Sequence, residues 1–514
     1  MTLFGLHHSR SQARLPKNSS WYPFKTMKFP LTKTTPLTAA AIFCVILCFL
    51  NGPGRGAKAT EPNQSETATI EGKLSPAQTP GRLSWKIPVS ESSSDMLWWH
   101  RVLSVQPPIE VVLSADTSQL ELPLSKNLPP TVEVKISSQR VPKSDAFLRM
   151  NQIQLIGTHN SYHIAPHPVV LRVIRRFKPS EARYIAYTHP SLSDQLTRLN
   201  LRHFEIDIFN DKQGGAFAYP RGARLVKIRN WRAAHPEFDS DAMATPGFKV
   251  LEYPDFDFRS NTPTVKAALR EWSSWSRQHS LHLPIMILIE TEKSAAGKPS
   301  NEMSTFDTSD FEELEKEILQ VLDPDQIITP DEVRGSYETL NQAIRKKGWP
   351  LMGDCRGRFL FALDNPGEER VNYLKLHPQL RGALLFVSSP ANEPESAFLK
   401  MNDPINNHTE IQQRVGEGYL IRSRADADLV EGRANDHQRR NHAFSSGAHY
   451  ISTDFPEARP EFSGYVVRWE NEQVGRLNPL FNHDRDGIVL EPATLNSESV
   501  VKIYVLEVPS DQVR

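Results

Sequence analysis

From Phe147 onward, short apolar segments alternate with helix-patterned ones, and polar residues collect where the apolar segments end. Few folds accommodate that order. Residues 153–156 form an apolar run that reads as a strand. It runs straight into Gly157-Thr158-His159-Asn160-Ser161-Tyr162-His163. Residues 201–209 predict a second strand. Because side chains alternate along a strand, His203, Glu205 and Asp207 share one face, and Phe204, Ile206 and Ile208 the other. A helix follows over 264–278 with Val265, Ala268, Leu269, Trp272, Trp275 and Ser276 in one stripe. The nearly all-apolar 284–290 then reads as a strand buried on both faces. Ser309-Asp310-Phe311-Glu312 has the form of a capping box that opens a helix striped by Phe311, Leu314, Ile318 and Val321. A helix over 338–347, strands over 358–364, 382–388 and 419–423, a helix over 435–446 and a strand over 450–453 continue the series. The order predicts an α/β fold, a TIM-type β/α barrel rather than an open sheet. The last sixty residues are mixed, with a hairpin-like 465–474 and a terminal strand over 500–508.

The sequence outside this series divides differently. Residues 1–59 resemble a targeting segment. Lys28 and Lys33 precede an apolar run over 37–50, and Ala57-Lys58-Ala59 supplies a small-x-small cleavage site near Ala59, with Met27 as an alternative start. The run is short for a membrane span, so the protein is expected to be exported, with an uncleaved anchor as the other reading. Residues 60–145 are rich in Ser, Pro and Thr and are expected to form a spacer or a small β appendage. Residues 146–475 are the expected catalytic barrel and 476–514 a C-terminal extension. The 60 basic and 60 acidic residues balance, which removes any general field for nucleic acid. Cys44 and Cys48 lie in the apolar run, so Cys355 stands alone in the mature chain and has no disulfide partner there. No basic run or exposed amphipathic helix is evident, and Arg433, Arg439 and Arg440 read as a solvated face.

Glu205 and Asp207 on one strand face, Asn160 from the first strand and Glu290 from another make an all-oxygen set. Oxygen ligands favour Ca²⁺ or Mg²⁺, and flexible coordination favours Ca²⁺. The set contains no Cys or His, which argues against zinc. The alternative for Glu205 and Asp207 is a structural network with Arg or Lys. His159 can move a proton near neutral pH. Arg422 and Arg424 point to one side of their strand and suit phosphate, or else pair with Asp426 or Asp428. Lys293, just past Glu290, reaches a phosphate or is simply solvated. His163, His167 and His189 read as packing residues near the first motif.

These segments resemble the secreted calcium-dependent phosphoinositide-specific phospholipase C family. The resemblance is carried by Gly157-Thr158-His159-Asn160-Ser161-Tyr162, Glu205-Ile206-Asp207, Gly247-Phe248-Lys249-Val250-Leu251 with Asp255-Phe256-Asp257-Phe258-Arg259-Ser260, Arg422-Ser423-Arg424-Ala425-Asp426-Ala427-Asp428 and Ser452-Thr453-Asp454. It implies a β/α barrel in which an inositol 2-hydroxyl attacks the adjacent phosphodiester of phosphatidylinositol or a related glycerophospholipid and releases diacylglycerol. It also implies Ca²⁺ as cofactor, held by Asn160, Glu205, Asp207 and Glu290. His159 then acts at the phosphate, Glu205 doubles as base, and Arg422, Arg424, Lys293 and Asp454 contact substrate. Transient contact with a membrane surface follows from the resemblance alone.

One position departs from the pattern: Glu252 stands where the family places its second catalytic histidine. Glu252 is then a substitute acid, an extra ligand or the mark of a weakened enzyme, with His235 a candidate to compensate. Two other functions stay open. One is a glycerophosphodiester phosphodiesterase. The other is a lipid- or inositol-phosphate-binding protein that has lost turnover.

Overall fold

The computed structural model describes residues 69–74, 77–79, 82–88, 96–114, 118–124, 128–225, 238–292, 305–481, 488, 490–492 and 499–509. The targeting segment, His235 and Lys293 lie outside the described residues. Among those described, no helix is long and apolar enough to cross a membrane.

Eight parallel strands close into a barrel in chain order. They are β1 (Ile153–Thr158), β2 (His203–Asp211), β3 (Ile285–Thr291), β4 (Phe359–Leu363), β5 (Leu385–Val387), β6 (Phe398–Lys400), β7 (Leu420–Arg424) and β8 (Tyr450–Thr453). Each pairs with the next, β8 returns to β1, and a parallel bridge from Ser388 to Phe398 joins β5 to β6. Every described strand of this ring is buried along nearly its whole length. Helices cover the outside, so the outward faces need apolar side chains. The helix α1 (Val265–Gln278), capped by Thr264, shows the fit. Its predicted stripe is buried throughout, with the Trp272 ring 5.5 Å from that of Phe204 on β2. Between β1 and β2 the sheet is tight: a Cβ on Gly157 would lie 2.1 Å from the His203 carbonyl oxygen. Only glycine lets the two backbones come so close.

Several elements differ from expectation. The cap of the helix Thr308–Leu319 is Asp307, not Ser309: its carboxylate accepts from the Ser309 and Asp310 amides while Asp310 reaches back. The expected helix over 435–446 begins at Gln438, because Asn435 is left-handed and ends a short turn over Val430–Ala434. Residues 465–474 form no hairpin, and Gly475–Leu477 instead runs antiparallel to β1. Gly247–Val250 also stays outside the ring, antiparallel to β2. The three-residue β6 was not foreseen.

Two four-stranded sheets are built from the residues before the barrel, and the C-terminal strand Ser499–Glu507 lies in one of them between Thr69–Leu74 and Thr131–Pro142. Their shared core includes Trp85, Leu120, Val134, Ile136 and Tyr504. Trp99 from this layer lies against Gly353, where a Cβ would come within 2.4 Å of its ring, and its indole donates to Asp354 at 2.8 Å. Arg356 forms a fully buried two-pronged pair with Asp145 at 2.8 and 2.9 Å.

Three buried histidines are held neutral. Burial lowers His100 and His449 to about 4 and His282 to about 3. At His449 the geometry enforces this: Nε2 donates to the Asn151 carbonyl at 2.7 Å and Nδ1 accepts the Ile421 amide at 3.0 Å. Depressed histidines contribute stability that is complete above their unfolded pKa of about 6.5 and lost as the pH falls toward about 4. The melting temperature by calorimetry is therefore expected to fall between those pH values, and His449→Gln to make the fall shallower.

Candidate active site

The described candidate groups gather toward the C-terminal end of the strands, where a β/α barrel places its loops. Register brings them together. Thr158 pairs with Thr453, so His159 and Asp454, one residue on, are neighbours. The His159 Nδ1 lies 2.9 Å from Asp454 Oδ1, and its side chain keeps 22% exposure. On its other oxygen Asp454 accepts from Arg424 Nη2 at 3.3 Å, and its amide donates to Asp426 at 2.8 Å. Burial alone would raise the Asp454 pKa, but His159 and Arg424 outweigh it and hold the carboxyl well below the usual range. Asp454 thus stays an anion beside the imidazole. Burial and the Asp454 charge push Asp426 up to about 7.

The carboxylates occupy the neighbouring strands. Glu205 on β2, Glu290 on β3 and Asp364 just past β4 bring oxygens within 4.8 Å of one another. Burial first, then Asp364, Glu292 and Glu205, raises Glu290 well above its ordinary value. Asp207 is raised likewise, by burial and then by Glu252 and Glu290. Asp207 Oδ2 and Glu252 Oε2 both lie near the Tyr162 hydroxyl, at 2.9 and 2.8 Å. A phenol has one hydrogen and serves one of them at a time. Asn160, in the left-handed region at φ 44°, donates its amide nitrogen to the same Glu252 oxygen. The carbonyl oxygen of Asn160 is therefore turned elsewhere and has no protein partner, nor do the buried second oxygens of Asp207 and Asp364. Mutually repelling carboxylates with buried acceptors left over are costly unless a cation completes them. The donors are all oxygen, as a hard divalent cation requires. The residues fit such an ion.

Three cations of the chain already share this field. Arg422, almost fully buried, donates to Glu205, to Asn402 Oδ1 at 2.6 Å and to Ser452 Oγ at 3.1 Å. Its carboxylate partner is Glu205 rather than Asp426 or Asp428. Lys400 donates to Asp364. Arg424 bonds Asp454 and the Asp426 carbonyl, at 3.0 Å to the latter. Of the residues assigned to substrate, Asp454 holds His159, Arg424 holds Asp454, Arg422 holds Glu205, and Lys293 lies outside the described residues. His163 is fully buried between Asp257 at 2.8 Å and the Tyr187 carbonyl at 2.9 Å, and His189 Nε2 lies 3.1 Å from the His159 carbonyl. Both support the loop, and His167 caps a helix through the Val169 amide. Asp364 and Lys400 were not singled out beforehand. Asp364 ends a predicted barrel strand, a position at which a carboxylate is itself a signal. Lys400 carries no such mark, because its strand is only three residues long.

A closed β/α barrel with a supported histidine and clustered carboxylates at its C-terminal mouth has the layout of an active site. The family model described as "Phosphoinositide phospholipase C, Ca2+-dependent" matches residues 148–479, more than half of the chain. The chain belongs to that family. Among solved structures it is similar to the calcium-dependent phosphoinositol-specific phospholipase C of Pseudomonas sp. in its apo form. That likeness has 13% identity and a TM-score of 0.41, covering 66% of this chain and 98% of that one. It is also similar to the Ca²⁺-dependent phosphatidylinositol-specific phospholipase C of Streptomyces antibioticus, with 15% identity, a TM-score of 0.38, and coverage of 60% and 95%. No curated protein matches it.

The Arg422–Glu205 pair makes a direct test of the mouth. Arg422→Met leaves Glu205 buried without its partner, at a cost of about 3–5 kcal/mol. Urea titration in chelator should show that loss, and added divalent cation should restore part of it. An unchanged midpoint, or a loss indifferent to cation, would contradict the electrostatic reading.

Proposed function

We propose that the chain is an exported, Ca²⁺-dependent phosphodiesterase that cleaves the phosphodiester of phosphatidylinositol, or of a related glycerophospholipid. The observation that carries the reading is the meeting, at one barrel mouth, of the His159–Asp454 pair with carboxylates that have buried oxygens to spare. Export rests on the basic, apolar and small-residue pattern of residues 27–59.

Asn160, Glu205, Asp207 and Glu290 would hold the cation, with Asp364 joining them. Bound there, it would offset charge on the phosphoryl oxygens and acidify the attacking hydroxyl. The chain's own part is proton handling and orientation. Asp454 fixes His159 through Nδ1, leaving Nε2 for the substrate. As the bond from the inositol 2-oxygen to phosphorus forms and the bond to diacylglycerol breaks, one proton leaves the hydroxyl and another reaches the departing oxygen. His159 Nε2 carries one of these transfers. Arg424, on the far side of Asp454, keeps that carboxylate in place.

Glu252 is best read as a positioning residue. Its carboxylate takes the Asn160 amide nitrogen and the Tyr162 hydroxyl, and so orients the Asn160 carbonyl oxygen. Partners that fix a ligand's orientation commonly matter about 10–100-fold for metal affinity. Glu252→Ala should weaken Ca²⁺ binding by about that factor in titration calorimetry, and unchanged affinity would return Glu252 to a proton-transfer role. The same engagement supports a second reading, a phosphoinositide-binding protein without turnover, since a carboxylate so occupied is poorly placed to deliver a proton.

Phosphorus NMR of the purified protein with phosphatidylinositol decides between them. A cyclic inositol phosphate or inositol monophosphate signal that disappears with chelator is the expected result. Turnover of glycerophosphodiesters alone would redirect the substrate assignment, and Ca²⁺ binding without any product would favour the binding protein. A large rise in turnover in Glu252→His would mean that the native residue limits the reaction.

A further inference from the structure

Asp426 lies two residues past β7, and it is fully buried. Among the described residues no guanidinium or ammonium group donates to its carboxylate, since Arg424 bonds only its main-chain carbonyl. A buried carboxylate without such a partner is costly unless hydrogen bonds satisfy it. Here most of those bonds come from the end of β8. Asp426 Oδ1 accepts the backbone amide of Asp454 at 2.8 Å, and Oδ2 accepts the hydroxyl of Thr453. The Tyr465 hydroxyl stands 3.4 Å from the same oxygen and lies closer, at 3.0 Å, to the Ala425 carbonyl. The Thr453 oxygen in turn accepts the Phe455 amide at 2.8 Å.

These contacts hold three consecutive residues, Thr453 to Phe455, and the middle one is the carboxylate that meets His159. The far end of Asp454 leads back to the same place. Arg424, which donates to Asp454 Oδ2, is itself held at Nε by the Asp426 carbonyl at 3.0 Å. Asp454 is thus tied to residue 426 through its main chain and through its side chain. His159 depends on this region twice, because its amide donates to the Thr453 carbonyl at 3.1 Å and its Nδ1 faces Asp454 Oδ1. Packing closes the arrangement from behind. A Cβ on Gly432 would fall 2.0 Å from the Phe455 ring, and that ring meets Tyr465 edge-on at 5.4 Å.

We infer that Asp426 is a positioning residue of the site: it sets the place of Asp454 and, through Asp454, the ring orientation and tautomer of His159. Having no exposed surface, Asp426 cannot meet a substrate itself. A carboxylate suits the task because it accepts from the Asp454 amide and the Thr453 hydroxyl at once, one on each oxygen. A carboxamide has a single acceptor oxygen and keeps only one of those bonds. The kinetic part of the test rests on the proposed phosphodiesterase reading, and the spectroscopic part does not.

Both parts use the full protein at about pH 8, above the value of about 7 to which burial and the Asp454 charge raise this carboxyl. Phosphatidylinositol hydrolysis is compared for the native chain, Asp426→Ala, Asp426→Asn, Asp454→Ala and the double variant Asp426→Ala/Asp454→Ala. Misplacing a reacting group by about 1 Å can cost about a hundredfold. Asp426→Ala should therefore lower kcat by about that factor, with KM and Ca²⁺ affinity near their native values. Asp426→Asn, which still accepts the Asp454 amide, should recover much of the loss. With Asp454 already replaced, removing Asp426 should cost little more, since residues that act through one another are not additive. Nitrogen-15 NMR of labelled histidine reads the His159 tautomer without any turnover, the signal being assigned by its absence in His159→Gln. An anionic Asp454 on Nδ1 holds the hydrogen there, so the native chain and Asp426→Asn should show that tautomer and Asp426→Ala should lose it. If Asp426→Ala does not fold, Thr453→Val removes one bond that holds Asp426 and should move kcat and the tautomer the same way by less. Native kcat and tautomer in these variants, or additive losses in the double variant, overturn the inference. A lost tautomer in Asp426→Ala, in a chain that never cleaves phosphatidylinositol, would sink the phosphodiesterase reading and leave this one standing. Cleavage that survives Asp426→Ala with the tautomer unchanged would do the reverse.

Discussion

Glu205 is a carboxylate removed from water at the centre of a barrel, and Arg422 is the guanidinium that makes this tolerable. Neither charge could stay there alone. Around this pair the mouth is arranged as alternating compensation: Lys400 on Asp364, Arg424 on Asp454, and Asp454 on His159. Compensation is incomplete at Glu290 and Asp207, whose pKa values are driven up by burial and by their acidic neighbours. That unbalanced charge is what the proposed cation would offset, and His159 at the same mouth keeps solvent access. Structural stability and chemistry therefore draw on the same electrostatic arrangement.

Much of this was legible in the sequence because it depends on local periodicity. The inward set on β2 follows from alternation, and the stripe of α1 from helical spacing. Gly157 through Tyr162 announces a strand that ends in functional groups. What escaped depends on distance or brevity. Three residues of β6 contain no period to detect, so Lys400 had no element to belong to. Asp364 could have been found by asking which residue ends each strand. The Asp307 cap was missed because Ser309 offers an equally good pattern two residues later, and only the backbone decides between them.

The sheets that precede the barrel show the same limit at larger scale. Ser499–Glu507 alternates as a strand should, but nothing local reveals that it lies beside Thr131–Pro142, more than three hundred residues away. Once formed, that layer meets the barrel through Trp99 on Gly353 and through the buried Asp145–Arg356 pair. These contacts lie near β4, the strand that delivers Asp364.

The central claim is that the buried, unpartnered oxygens of the mouth are cation ligands. Anomalous diffraction from crystals soaked in Mn²⁺, standing in for Ca²⁺, addresses it most directly. The account predicts a single strong peak bounded by the Asn160 carbonyl oxygen and the Glu205, Asp207 and Glu290 carboxylates, at separations of about 2.0–2.6 Å. No peak at millimolar cation, or a peak elsewhere on the molecule with the mouth unchanged, would contradict it.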